Sequence, residues 1–400
     1  MYKLSGGYVI LDNQLVKKDI YIKDNLIVDY LDNPTVIDCT NLLITPGICD
    51  IHVHLREPGH EEKETILTGT RSAAKGGITS IFAMPNLKPY PDTLANLAVE
   101  EEIIKRDAFV KVYPYACLTK EEKGKELSDI KALASHVLAF SDDGVGIRDY
   151  NLLEKALKEV KATGKIICSH AEDYNYLPTD TRSESEAVKK ELEVVRKTGV
   201  KYHFCHISTK ESFNLIKEAQ KEGLDVTCEV TPHHLFLNEE MIKNNPNFKM
   251  NPPLRSIEDQ QATLLALLSG VSTIIATDHA PHTESEKNRP YDKAPNGIIG
   301  LETLVPLVYT NLIGTKKATL NDFTNWLINN PRKRLGLDER KLDVGYVADI
   351  ACFDIFNSHT YQKEEILSRG KNSPFIGLTL YGFCKYTFVD GKLVYGGEDL

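Results

Sequence analysis

The chain has 400 residues, 42% of them apolar and 26% charged, and a formal net charge of −9. That length exceeds one small domain and suits a large barrel with a smaller companion, while the acidic balance and the lack of a Lys/Arg block argue against a nucleic-acid or anionic-membrane partner. No apolar run approaches a membrane span and the start, "MYKLSGGYVILDN", lacks a signal-peptide shape, so a cytoplasmic protein without a membrane anchor is expected.

Taken in chain order, residues 1–47 carry short alternating runs separated by turns: "YVILDN", "KDIYIKDNLIVDY" and "TVIDCTNLLI". From residue 48 the rhythm changes. Eight β-branched apolar runs follow: "GICDIHVH", "ITSIFAMPN", "FVKVYPYAC", "HVLAFSDDG", "KIICSHAED", "YHFCHIS", "LDVTCEVTPHH" and "VSTIIATDHAPH". Helical patterns lie between most of them, such as "SESEAVKKELEVVRKTG" and "STKESFNLIKEAQKEG", which open on serine with a capping signal and stop at Gly199 and Gly223. Strands alternating with helices read as βα units on a parallel sheet, and eight units predict a closed (β/α)8 barrel over 48–340. Residues 341–400 return to short strands, "YVADIACFDI" and "YTFVDGKLVY", the latter with a DG hairpin turn. Two β-rich ends around one α/β middle are expected to pair into one small β domain.

The barrel reading places functional groups just after each strand, and the polar residues fall there. His52 and His54 end the first run and, two apart on a strand, share a side. Asn86 ends the second, Asp142 and Asp143 the fourth, His170 the fifth and His206 the sixth; Asp278, His279 and His282 follow the eighth. A lone histidine at a strand end is usually just hydrogen-bonded, but that does not account for a histidine or aspartate at five of eight strand ends. Imidazole with carboxylate and no thiolate set suits Zn²⁺. Four histidines and two aspartates exceed what one tetrahedral ion needs, so a two-metal site with a bridging group is expected, and metal-assisted hydrolysis of an amide-like bond is the chemistry it outlines. No GxSxG, P-loop or HExxH competes. The eight cysteines form no CxxC and mostly lie in apolar runs, so free buried thiols in a reducing compartment are expected.

These stretches, together with "AAKGGITSIFAMPNLKPYPDT", "KMNPPLRS" and "GIIGLET", closely resemble the dihydroorotases of the bacterial class I type, within the amidohydrolase superfamily, over essentially the whole chain. The resemblance implies a distorted TIM (β/α)8 barrel with a small β-sandwich built from both chain ends. It implies two zinc ions per subunit: His52, His54 and Asp278 on the first, His170 and His206 on the second, with Asp143 and a hydroxide bridging them. Asp278 takes the catalytic acid/base role. His54, Arg56, Asn86, Asn251 and His282 take substrate-binding positions, and Asn296 and Gly297 a backbone-contact segment. The reaction implied is the reversible cyclisation of N-carbamoyl-L-aspartate to (S)-dihydroorotate, the third step of pyrimidine (UMP) synthesis. A small-molecule substrate, a homodimer and an association with aspartate carbamoyltransferase belong to the same picture. Hydantoinases and allantoinases use a carbamylated lysine where this chain has Asp143, which favours dihydroorotase over another cyclic amidase. An inactive homologue serving as assembly partner of the transcarbamoylase would have lost a ligand or Asp278; none is lost. The segment between His170 and His206 is shorter than the class usually has, and Asn296 stands where an apolar residue is common.

Other residues read as structural: His233 and His234 as turn or supporting residues, His279 as hydrogen-bonded beside Asp278, Asp142 as the cap of a turn at Gly144, and Cys168 and Cys205 as packing. His60, His136, His203 and His359 read as ordinary surface or core histidines, and the charge run "KEEKGKE" at 120–126 as a solvated helix face.

Overall fold

A computed structural model describes residues 1–396. The N-terminal part forms seven strands, β1 (Tyr2–Ser5), β2 (Tyr8–Leu11), β3 (Gln14–Lys17), β4 (Ile20–Lys23), β5 (Leu26–Val28), β6 (Thr35–Asp38) and β7 (Leu42–Pro46). Eight strands follow, one for each apolar run: β8 (Ile48–Val53), β9 (Ile78–Ala83), β10 (Lys111–Pro114), β11 (Ala139–Phe140), β12 (Ile166–Ser169), β13 (Tyr202–Phe204), β14 (Val226–Val230) and β15 (Ile274–Ile275). The C-terminal part adds β16 (Ile350–Asp354), β17 (His359–Thr360), β18 (Thr379–Leu380), β19 (Phe383–Val389) and β20 (Lys392–Tyr395).

The two chain ends pair as the patterning predicts. β7 runs antiparallel to β16, from Leu42 against Asp354 to Pro46 against Ile350. The sheet so formed has the order β20-β19-β16-β7-β2-β3, and a second sheet has the order β5-β4-β1-β6. Leu4, Ile20 and Ile22 of one sheet share an apolar cluster with Ile44, Ile350, Cys352 and Phe388 of the other.

The middle strands are all parallel, in two sheets ordered β10-β9-β8 and β11-β12-β13-β14-β15. Single parallel bridges, Val53 to His279 and Ala116 to Phe140, join one sheet to the other at both edges. Every residue of β8 and β9 is buried, as expected of parallel strands covered on both faces. Helices cover the outside, among them Ile66–Lys75, Tyr150–Thr163, Arg182–Thr198 and Lys210–Lys221. The last two end at Gly199 and Gly223 in left-handed backbone as predicted, but Thr209, not a serine, caps the fourth. Glu184, inside the third, turns its carboxylate instead to the backbone N–H groups of Ser208 and Thr209. Among the described residues no helix is long and apolar enough to cross a membrane.

Residues between β17 and β18 leave the β-rich ends and lie against the parallel strands' loops. Arg369 N–H donates to Glu64 at 3.0 Å, and Asn372 Nδ2 donates to the carbonyls of Ala280 and Gly297 at 3.1 and 3.0 Å. All eight cysteines are buried and free.

Candidate metal centre and substrate cleft

The residues that follow the C-terminal ends of the parallel strands meet in one open cleft of about 320 Å³, lined by His54, Arg56, Asn86, Asp143, His170, His206, Asn251, Asp278, Asn296 and Gly297 among others. His52 lies beneath it, fully buried. His282 stands outside the lining, behind the Asn296 loop, where its Nε2–H donates to the Asn296 carbonyl at 2.7 Å. Three cleft residues hold left-handed backbone without being glycine: Arg56 (φ +62°), His206 (φ +33°) and Asp278 (φ +49°). Such conformers persist only where surroundings over-determine them. Around Asp278 they do. Thr277 donates from N and Oγ1 to Asp50 at 3.1 and 2.6 Å. On the other side, His279 Nδ1 accepts from Gly300 N–H and its Nε2–H faces Glu64 at 3.3 Å. The hydrogen-bonding role expected of His279 is thus the clamp on the residue after Asp278.

At the centre, His52 Nε2 lies 3.6 Å from Asp143 Oδ1 and 3.4 Å from Asp278 Oδ1. His54 Nε2 lies 3.5 Å from Asp143 Oδ2 and 3.2 Å from Asp278 Oδ1. His170 Nδ1 and His206 Nε2 are 3.0 Å apart, and each is 3.8 Å from Asp143 Oδ1. Two triads, His52–His54–Asp278 and His52–Asp143–His206, each bring one ligand atom per residue within 4.8 Å of the others. His52 Nε2 and Asp143 Oδ1 are buried and have no hydrogen-bond partner among the described residues. A buried lone pair left without a partner costs about 1–3 kcal/mol, more for a charged group. The donor set therefore fits a divalent cation, which would satisfy both atoms. Burial alone would raise the carboxyls of Asp143 and Asp278, but His52 foremost holds both below the usual carboxylate range.

Two glutamates orient the imidazoles, and sequence reasoning did not single out either. Glu229, in the interior strand β14, accepts from His52 Nδ1–H at 2.7 Å and from His203 Nε2–H at 3.1 Å. Despite its burial, His52 and His203 hold Glu229 at a pKa of about 2. Glu172 accepts from His170 Nε2–H and from Asn251 Nδ2, both at 3.0 Å. Each carboxylate takes the outer N–H of its ring and leaves the other nitrogen's lone pair facing the centre, the arrangement that fixes a metal-ligating tautomer. The signal available in the sequence was a charge in the apolar strand "VTCEV", since an interior glutamate needs a partner. Glu229→Gln is expected to weaken metal affinity about tenfold to a hundredfold with the circular-dichroism spectrum unchanged. Competition against a chromophoric chelator measures it, and native affinity would leave Glu229 a packing residue only.

His234 pairs with Thr231 Oγ1 and the Pro252 carbonyl, a supporting role. Asp142 does not cap the turn at Gly144 with its side chain. Its carboxylate receives Leu118 N–H and Thr119 N–H at 2.7 and 3.1 Å, while its backbone carbonyl closes the turn from Gly146. The run 120–126 is not all solvated: Glu122 is 4% exposed and receives the Asn86 amide at 3.2 and 3.3 Å. Asn86 Nδ2 also donates to the Asp143 carbonyl at 2.7 Å, so the free atom of Asn86 is its oxygen; donating to a substrate carboxylate would require this amide to turn. Among the described residues the Arg56 guanidinium makes one hydrogen bond, a long 3.4 Å one from Nε to the Pro281 carbonyl.

The chain is similar to known proteins along its whole length. A family model described as Dihydro-orotase-like matches residues 41–190, the span from His52 through His170. A protein named dihydroorotase from Shouchella clausii is 42% identical, over 99% of this chain and 98% of its own. Another from Listeria monocytogenes is 42% identical over the full length of both. Among solved structures, an L-hydantoinase (dihydropyrimidinase) from Arthrobacter aurescens superposes with a TM-score of 0.90 at 24% identity, covering 100% of this chain and 97% of that one. A dihydropyrimidinase from Brevibacillus agri gives a TM-score of 0.87 at 22% identity over 99% and 95%. At those identities the likeness of the solved structures is one of fold, whereas identity of about 40% across the whole of both chains is one of lineage, and the chain belongs to the dihydroorotase family.

Proposed function

We propose that this chain interconverts N-carbamoyl-L-aspartate and (S)-dihydroorotate, the ring-closing step of pyrimidine synthesis, at a site that holds two zinc ions. The observation that carries the reading is the meeting in one cleft of a buried His/Asp ligand cluster and an unneutralised guanidinium, Arg56. The first calls for a metal hydrolase of amides and the second for a substrate bearing a carboxylate. We read the two bridged parallel sheets as a closed, distorted (β/α)8 barrel over 48–340, and the paired chain ends, 1–47 and 341–400 (the last four residues lie outside those described), as a small β-sandwich whose 359–380 excursion buttresses the barrel. The bridges at both sheet edges support the first, and the apolar cluster shared by the two outer sheets supports the second.

His52, His54 and Asp278 would hold the first ion, His170 and His206 the second, and Asp143 would lie between them. Bound there, the metal supplies Lewis acidity and a water made nucleophilic at neutral pH. The residues do the rest. Arg56 holds the substrate carboxylate through its planar N–H pair. In the hydrolytic direction Asp278 takes a proton from the attacking water. As the ring C–N bond breaks, it delivers that proton to the departing nitrogen. In the synthetic direction the side-chain carboxylate first takes up one proton from solvent; Asp278 then takes the proton from the ureido nitrogen as that nitrogen attacks the carboxyl carbon, and gives it to the hydroxyl oxygen, which leaves as water. His54 Nε2, 3.2 Å from Asp278 Oδ1, would sit beside it in the same ligand set.

The test pairs metal analysis with dihydroorotate hydrolysis followed in the ultraviolet. Expected are about two zinc per chain, turnover in both directions, loss on chelation and recovery on adding zinc. Turnover of hydantoin or allantoin equal to that of dihydroorotate would favour another cyclic amidase; Asp143, where those enzymes carry a carbamylated lysine, speaks against it.

A further inference from the structure

Lys287 closes the four-residue helix Glu284–Lys287, and only 5% of it is exposed. Its ammonium forms no ion pair with a carboxylate among the described residues: burial first, and Lys249 second, pull its pKa down to about 8. A desolvated ammonium without a counter-ion is unfavourable unless hydrogen bonds replace its water. Here three backbone carbonyls do so. Nζ donates to Lys249 O at 3.3 Å, Pro295 O at 3.1 Å and Gly297 O at 2.9 Å.

Those carbonyls belong to two segments distant in sequence, and both reach the cleft through Asn251 and through Asn296 and Gly297. Every carbonyl of the 295–297 segment is held by a protein donor, and the Gly297 N–H donates to Lys249 O at 3.0 Å. Pro295 O and Gly297 O face Lys287, Asn296 O faces His282 Nε2, and Asn372 Nδ2 adds a second donor to Gly297 O. A trans peptide points its N–H opposite its C=O. Drawing Pro295 O back therefore aims the Asn296 N–H away from Lys287, and that N–H meets no acceptor among the described residues. The fit behind the loop is tight, because a Cβ on Gly297 would lie 2.6 Å from the Ala280 carbonyl.

We propose that Lys287 is a positioning residue for substrate: its ammonium reinforces the backbone join between Lys249 and Gly297 and, through Pro295 O, turns the Asn296 N–H toward an oxygen of the bound molecule. The proposal rests on the cleft being a dihydroorotase site. It predicts an effect on binding with little on chemistry, because Lys287 touches no reacting atom.

The experiment uses the zinc-loaded full chain and begins with native turnover of dihydroorotate, whose absence would overturn the functional reading itself. Lys287→Met, near in length but uncharged, is expected to raise KM for dihydroorotate at least about tenfold while kcat falls less than about threefold. Zinc content should be native, and amide exchange should quicken at residues 296–299. Lys287→Cys treated with 2-bromoethylamine rebuilds an ammonium of nearly the same length and should bring KM back to within about threefold of native. The eight buried native cysteines make treated native protein the control. Should Lys287→Met not fold, Lys287→Gln keeps two N–H donors without charge and reads the same KM. A native KM in a folded variant, with only thermal stability lowered, or a fall in kcat at constant KM, overturns the proposal.

Discussion

Asp278→Asn is expected to lower kcat about 10²–10⁴-fold in both directions, the range general acid–base groups supply, while leaving the fold intact. Asparagine matches aspartate in shape and is among the residues that best tolerate the left-handed backbone Asp278 holds at φ +49°. The clamps on either side, Asp50 on Thr277 and Glu64 on His279, do not involve its side chain. What the substitution removes is a carboxylate that the imidazoles of His52 and His54 keep ionised against burial. An amide can neither accept a proton from water nor return one to nitrogen. Asp278 also belongs to a candidate ligand triad, so the assay is run at saturating zinc with metal content measured on the same sample. Loss in both directions at native metal content supports the proton-transfer role. Near-native rates at native metal content would sink it, and loss that tracks metal would make Asp278 a ligand only.

The strands were legible because parallel strands covered on both faces need unbroken β-branched apolar runs, and each of the eight runs became a strand. His52 and His54 were legible as a pair for a related reason. Period-two geometry puts them on one side, and both turn Nε2 toward Asp278, at 3.4 and 3.2 Å. Glu229 was not, because its partner His52 lies 177 residues away in the sequence and no local pattern names a partner across a fold. Glu122 was hidden by its neighbours. In "KEEKGKE" it looks like one more solvated charge, yet left-handed backbone at Glu121 and Glu122 turns the segment so that Glu122 alone faces inward to Asn86. Lys287 shows the same limit. Its partners are backbone carbonyls, and those leave no trace in side-chain composition. The excursion between β17 and β18 has strands on both flanks and so follows the β-rich end in sequence, but its contacts, from Arg369 and Asn372, go to Glu64, Ala280 and Gly297.

With Arg56 as the proposed carboxylate anchor, its replacement is expected to separate substrates by charge. Its guanidinium forms no ion pair among the described residues; Glu57, the nearest candidate in sequence, instead receives the Ile66 N–H at 2.8 Å. Burial lowers the Arg56 pKa from its usual value, which leaves a partly desolvated cation for a substrate carboxylate to neutralise. Lysine keeps the charge but not the planar fork. Losing one charge-assisted bond of a bidentate pair costs about 1.5–3 kcal/mol, so Arg56→Lys is expected to lower kcat/KM for dihydroorotate about tenfold to a hundredfold. Arg56→Met is expected to lower it further, because the substrate carboxylate would then lie unpaired against the cleft wall. Position 56 holds φ +62°, but arginine, lysine and methionine are all unbranched at Cβ and bear that conformation alike, so backbone strain cancels in the comparison. Dihydrouracil has the same ring without the carboxylate. It should be a poor substrate for the native chain and change little in either variant, since no bond to Arg56 is lost. If Arg56 only braced its own loop through the 3.4 Å contact to Pro281, both substrates would suffer in equal proportion. Equal losses for dihydroorotate and dihydrouracil, read as kcat/KM at matched zinc content, would therefore remove Arg56 as the carboxylate anchor.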